Sequence, residues 1–270
     1  MLLPPIMKNL TEVINLYTQK HLVNQIEVMG IKPTDLLTIH ISLKSIGEID
    51  TSEKTSAEIV IDALRYSVRD GLLLIPSHTY SNIRKLPVFD VRTTAPCIGA
   101  VPTVAVQIAN KAYDCGDKNI VRSLHPGHSV VAFGKNAYEY VDGDAKASTP
   151  MPPFGSYRKL EQHKGKIMLI GVDLKNNTFI HAIDEYMEPD GVSAPYPITV
   201  IDYNGNKTER FACNCKGPSA SYPKYHPYLE KSGAITYGKL GDADVILCDA
   251  KKTFDTIVGV WHELYEEKKV

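Results

Sequence analysis

Apolar positions along the chain follow two alternating rhythms. "TQKHLVNQIEVMG" sets Leu22, Val23, Ile26 and Met29 on one helical face with Gly30 at its end, and "DLLTIHISL" follows as a buried strand. "TSAEIVIDALRYSVRDG" repeats the unit. Thr55 or Ser56 is placed to cap, Ile59, Val60, Ala63, Leu64 and Val68 form a stripe, and Gly71 stops the helix before the strand "LLLIPS". Gly99 to Lys111 predicts a helix with Pro102 in its first turn, where a missing N–H is tolerated. "SVVAFG" and "KIMLIGV" predict strands, and "ITVIDYNGNKTERFA" predicts a hairpin with Asn204-Gly205 between two alternating runs. "ADVILCDA" then predicts a strand and "TFDTIVGVWHELYEE" a helix. Such alternation predicts an α/β fold: one domain over residues 1–270, a central mixed sheet with helices on both faces, and a hairpin region toward the C-terminus.

Composition narrows the function classes. With 43% hydrophobic and 23% charged residues, the chain can bury a sizeable core. A net charge of -1 provides no general field for nucleic acid or an anionic membrane, so recognition of charged ligands has to be local. No apolar run approaches the roughly 18 residues of a membrane span, and "MLLPPIMKNL" is short and lacks the charged start of a signal peptide; a cytoplasmic protein is expected. The five cysteines, Cys97, Cys115, Cys213, Cys215 and Cys248, are scattered and fit reduced thiols.

Three clusters carry candidate chemistry. In "KNNTFIHAIDEYMEPD", helical spacing puts Asp184 or Glu185 beside His181, where either carboxylate would raise its basicity. That suits a general base; from spacing alone, a polar surface face with a satisfied histidine is the commoner arrangement. "VRSLHPGHS" compresses Arg122, Ser123, His125 and His128 into a loop, where the histidines either pack and bond to backbone or share a metal. Two histidines without a third placed ligand are thin for a metal site, and none is expected. "HISLKSIG" ends a strand in a turn whose Ser42, Lys44 and Ser45 could meet phosphate oxygens or simply form a polar turn. No P-loop and no Gly-x-Ser-x-Gly elbow occurs.

Taken in order, "LLTIHISLKSIG", "GLLLIPSHTYS", "FDVRTTAPCIGAVP", "VRSLHPGHSVVAFG", "TPMPPFGSYRKL" and "KIMLIGVDLKNNTFIHAIDEYME" resemble the aminoglycoside 3-N-acetyltransferase family, over roughly residues 30 to 190. "NNTFIH" looks like that family's Asn-Thr-x-x-His segment. The resemblance implies a fold distinct from GNAT acetyltransferases and acetyl-CoA as co-substrate. It implies a small-molecule amine acceptor on an aminoglycoside or related aminosugar, and a role in antibiotic resistance. By the same resemblance His181 is the catalytic base, Ser42, Lys44 and Ser45 meet CoA, and Arg122, Ser123 and His125 line the cofactor or active-site cleft. Thr178 is a candidate oxyanion donor, and Asp90 and Glu188 are candidate substrate-binding carboxylates. A homodimer is compatible with this reading. The chain departs from the family pattern twice. Ile41 stands where family members commonly have serine, and "RFACNCKGPSASYPKYH" carries no carboxylate where the family supplies an acid for its histidine, leaving Asp184, Glu185 or Glu209 to substitute. Another acyl donor or acceptor on the same fold, or a noncatalytic CoA-binding protein, are the alternatives.

Overall fold

The computed structural model describes residues 16–215 and 217–266. The stretch "MLLPPIMKNL" and Lys216 of the acid-free segment lie outside the described residues. The strands are β1 (Leu36–Ile41), β2 (Leu72–Pro76), β3 (Val88–Asp90), β4 (Ile120–Arg122), β5 (Val130–Phe133), β6 (Lys166–Ile170), β7 (Tyr196–Ile201), β8 (Lys207–Ala212), β9 (Ile235–Leu240) and β10 (Ala243–Asp249). The helices are α1 (Gln19–Val28), α2 (Ser56–Ser67), α3 (Tyr80–Ile83), α4 (Ala100–Asp114), α5 (Ala137–Val141), α6 (Ser156–Gln162), α7 (Thr178–Met187), α8 (His226–Lys231) and α9 (Ala250–Glu266).

Among the described residues, seven strands form one mixed sheet in the order β4-β5-β2-β1-β6-β10-β9. β1 runs parallel to β2 and β6, with Leu37 opposite Leu73 and His40 opposite Leu169, and the remaining pairs are antiparallel. Side chains alternate across a strand, so each face collects every second residue. Leu37, Ile39, Leu73, Ile75, Met168 and Ile170 face the layer of α1, α2 and α4. Leu74, Ile167, Leu169 and Cys248 face the opposite layer, which includes Phe179, Ile180 and Ile183 of α7 and Trp261 of α9. The predicted helices start and stop where their side chains dictate. Thr55 and Glu58 form a reciprocal capping box on α2, and Thr18 with His21 does the same on α1.

The hairpin β7–β8 pairs with β3 in a second, three-stranded sheet around Phe89, Val91, Ile198 and Val200. Its turn is longer than a two-residue Asn-Gly connection. The strands part at Ile201 and Lys207, and Asp202 accepts from the backbone N–H groups of Asn204 (2.8 Å) and Asn206 (2.9 Å) while Gly205 takes φ +83°. Asp202 closes the turn in place of a tight ladder. No described helix is long and apolar enough to cross a membrane.

Candidate active site

The carboxyl ends of the parallel strands open into one cleft, the usual place for ligands in such sheets. Its volume is about 480 Å³. β1 brings His40 and Ile41 to it, β2 is followed by His78 and Tyr80, and the loop after β6 brings Val172, Lys175 and Asn176. α7 closes one side with Thr178 and His181. Asn177 caps α7, its side-chain oxygen accepting from the Phe179 N–H at 3.2 Å. The Thr178 N–H, one of the donors a helix start leaves open, is met by His40 Nε2 at 3.3 Å. Burial lowers His40 to about 3, so this ring is neutral and its Nε2 is free to accept.

His181 lies three residues after Thr178, on the same helical face. The side chain beside it comes from neither α-helix nor strand: the 3-10 helix Ser219–Tyr225 delivers Tyr222, whose hydroxyl is 2.5 Å from His181 Nδ1 and 2.5 Å from Asp184 Oδ2. Asp184 itself stands 3.8 Å from His181 Nδ1, beyond direct hydrogen bonding. Desolvation lowers His181 to about 4 and raises Asp184 to about 6, both shifts favouring neutral groups. Tyr222 is 1% exposed, and its phenol is pushed strongly upward by burial and by the Asp184 charge, so it keeps its proton.

A phenol has one proton to give and lone pairs with which to accept. When Tyr222 donates to the Asp184 carboxylate, its oxygen accepts from His181 Nδ1–H. The bare nitrogen is then Nε2. A histidine in that tautomer, in the wall of a cleft, is equipped to take a proton.

A sequence model of the aminoglycoside 3-N-acetyltransferase family matches residues 38–261. The chain belongs to this family. Aminoglycoside N(3)-acetyltransferase VIII of Streptomyces fradiae is 26% identical over 200 residues, covering 68% of this chain and 67% of that protein. Among solved structures, AAC-IIIb in its binary form with CoASH has a TM-score of 0.74 at 18% identity, covering 92% of this chain and 97% of that one. A mutant of AAC(3)-IVa in complex with a gentamicin gives 0.73 at 20% identity, covering 92% and 89%. At these identities the likeness establishes the α/β fold. The acyltransferase class expected from the sequence is the class of the family.

Several residues that the family resemblance assigned to the site do not line this cleft. Arg122 is wholly buried outside the His181 cleft: its guanidinium donates to the carbonyls of Val91 (3.0 Å), Thr94 (2.8 Å) and Ser77 (3.2 Å) and to Ser129 Oγ (3.3 Å), and it lies over the Phe89 ring. It fastens the small sheet to the large one. Ser123 is buried, its Oγ accepting from the Val130 N–H at 3.1 Å. His125 is buried with Nδ1 accepting from the N–H groups of Gly127 (3.1 Å) and His128 (3.0 Å), and with Nε2 at 3.0 Å from the Thr149 carbonyl. Both of its nitrogens are engaged by backbone. Ser42 and Ser45 bond to each other at 2.9 Å and Lys44 is exposed; that turn follows Ile41 without itself lining the cleft. Close packing shapes it, because a Cβ on Gly171 would stand 2.4 Å from Ser45 Cβ.

The carboxylates also separate. Glu185 accepts from Thr149 Oγ1 (2.5 Å) and the Met151 N–H (2.9 Å), so it anchors the loop before α6. Asp90 folds its own turn, accepting from the N–H groups of Arg92 (2.8 Å) and Thr93 (3.2 Å). Glu188 is exposed at the end of α7. Neither of these last two lines the cleft. Cys213 donates to the Ser148 carbonyl at 3.3 Å, and burial pushes its thiol up to about 11. Cys215 lines the cleft, and burial with the nearby Glu185 and Asp184 charges raises it further, which opposes thiolate formation.

Proposed function

We propose that this protein is an acetyl-CoA-dependent N-acetyltransferase acting on an amine of an aminoglycoside or related aminosugar, with His181 as general base. The observation that carries this reading is the linkage of His181 through the Tyr222 hydroxyl to Asp184, in the wall of the cleft. Similarity to AAC-IIIb with CoASH and to the AAC(3)-IVa mutant with gentamicin supports the co-substrate and the acceptor chemistry.

An amine attacks a thioester carbon only with its lone pair free, and it must shed a proton as the C–N bond forms. His181 Nε2 takes that proton while Tyr222 and Asp184 hold the ring and stabilise the imidazolium. The C–S bond then breaks, and the imidazolium returns its proton to the departing sulfur. Thr178, one helical turn before the base in the same wall, is the donor for the thioester oxygen. Apolar side chains of Ile39, Ile41, Ile75 and Val172 suit a pantetheine arm. Transfer is direct, because the thiols of Cys213 and Cys215 are held protonated.

The test is thiol release from acetyl-CoA across a panel of amines, with mass spectrometry of the acceptor. Release accompanied by an acetylated amine supports the reading. Binding of CoA with no release under any acceptor rejects it in favour of a noncatalytic ligand-binding role.

A further inference from the structure

The proposed reading leaves open which kind of aminosugar is the acceptor, and the charge along the cleft bears on it. Among the described residues, the formally charged side chains lining the cleft are Arg84 and Lys175. Lys175 is paired with Asp173 at 3.0 Å, and no such carboxylate stands against Arg84 among the described residues. Of the acids nearest the base, Asp184 is held by Tyr222, Glu185 by Thr149 and Met151, and Glu188 lies outside the lining. An acceptor with several ammonium groups would meet like charge along the cleft, whereas a phosphate would find a guanidinium fork of matching geometry.

Two further residues of the cleft complete a seat. Tyr80, the first residue of the short helix α3 whose C-terminus Arg84 caps, lines the same cleft. The His128 ring stacks on Tyr80, centroids 5.8 Å apart at 27°. His128 is 6% exposed, and its Nδ1 has no hydrogen-bond partner among the described residues. A buried lone pair is easier to leave unmatched than a buried N–H, so the proton sits on Nε2 and the ring offers a donor.

We propose that the acceptor is an aminosugar carrying a phosphate or diphosphate, with that group on Arg84, the sugar against Tyr80 and a sugar or phosphate oxygen on His128; this rests on the acetyltransferase reading. Three acceptors test it in the thiol-release assay: gentamicin, glucosamine, and a uridine diphosphate-linked 4-amino-4,6-dideoxyhexose. The expected order of kcat/KM puts the nucleotide-linked aminosugar at least about a hundredfold above gentamicin, with glucosamine between. Arg84→Gln, at an exposed position, raises the KM of the nucleotide-linked acceptor about tenfold and leaves that of acetyl-CoA within about twofold, the effect of losing one charge-assisted contact. His128→Phe keeps the stack and lowers kcat/KM for the same acceptor about tenfold. Equal or better turnover of gentamicin overturns the proposal. So does an Arg84→Gln effect confined to the KM of acetyl-CoA, which assigns that guanidinium to the coenzyme's phosphates. Silence with all three acceptors while CoA still binds overturns this inference, and the acetyltransferase reading falls as well when the whole amine panel is silent.

Discussion

His181 and His125 sit in two of the histidine-bearing motifs the sequence offers, and the fold treats them in opposite ways. His125 has both ring nitrogens tied to backbone groups of Gly127, His128 and Thr149. His181 has one nitrogen on Tyr222 and lines the cleft. Both rings are desolvated, and desolvation lowers the pKa of both. Burial therefore does not separate a structural imidazole from a chemical one. The separating property is a ring nitrogen that the protein leaves unsatisfied beside a space a substrate can enter.

The sharpest way to break this contrast is to remove each ring in turn. His181→Ala is expected to reduce kcat by about a hundredfold or more, the loss of a general base, with the KM of acetyl-CoA little changed in steady-state assays. A variant retaining near wild-type turnover would return His181 to the structural class. Tyr222→Phe deletes the atom joining ring and carboxylate, and a fall in kcat of roughly tenfold is expected, against no change if the phenol only packs.

The pH profile sharpens the same contrast. His181 is neutral above its lowered value of about 4, and Asp184 is ionised above its raised value of about 6. Activity should plateau above about pH 6 and fall as protons are added between 6 and 4, with apparent values belonging to the linked groups together. Asp184→Asn removes the negative charge that favours imidazolium, so the falling limb should move to lower pH. A limb that stays in place in kcat/KM measurements would separate Asp184 from the base.

For His125→Ala the expected loss is of stability, about 1–3 kcal/mol for backbone groups left unmatched, read from the urea midpoint, with turnover per folded molecule unchanged. The smallest effect belongs to Glu185→Gln. An amide oxygen can keep one of the two hydrogen bonds, so about 1 kcal/mol or less of stability should go and kcat should hold within about twofold. A large kcat loss there would make Glu185, not Asp184, the supporting acid.

Much of the fold was legible because its strands and helices carry clean periodicities: β1, β2, β6 and α2 fall where apolar spacing and caps place them. β9 was not, since Thr236, Tyr237 and Lys239 in the middle of that edge strand are exposed or half-exposed and supply no apolar pattern. That His181 lies in the early turns of a helix was legible from its segment. The choice between Asp184 and Glu185 was not, because three- and four-residue spacings both place a side chain near i, and only the rotation of α7 against Thr149 and Met151 decides. Tyr222 was invisible. Its part arises from a contact across 41 residues, in a segment searched for a carboxylate, where the fold supplies a phenol and borrows the acid from α7. His40 lay in a quoted motif, but its bond to the start of α7 depends on β1 and α7 meeting at the sheet's carboxyl end.

The grip of Arg122 has a consequence for how the chain can vary. Its guanidinium holds three carbonyl oxygens, and every amino acid carries a carbonyl. The clasp asks nothing of the side chains at positions 77, 91 and 94, whose freedom is set by their own packing, Ser77 and Val91 being wholly buried; the clasp itself tolerates little, because a lysine has too few donors, in the wrong shape, to reach the same oxygens. At this junction the demand for a particular side chain thus falls on the residue that holds, not on the carbonyls that are held.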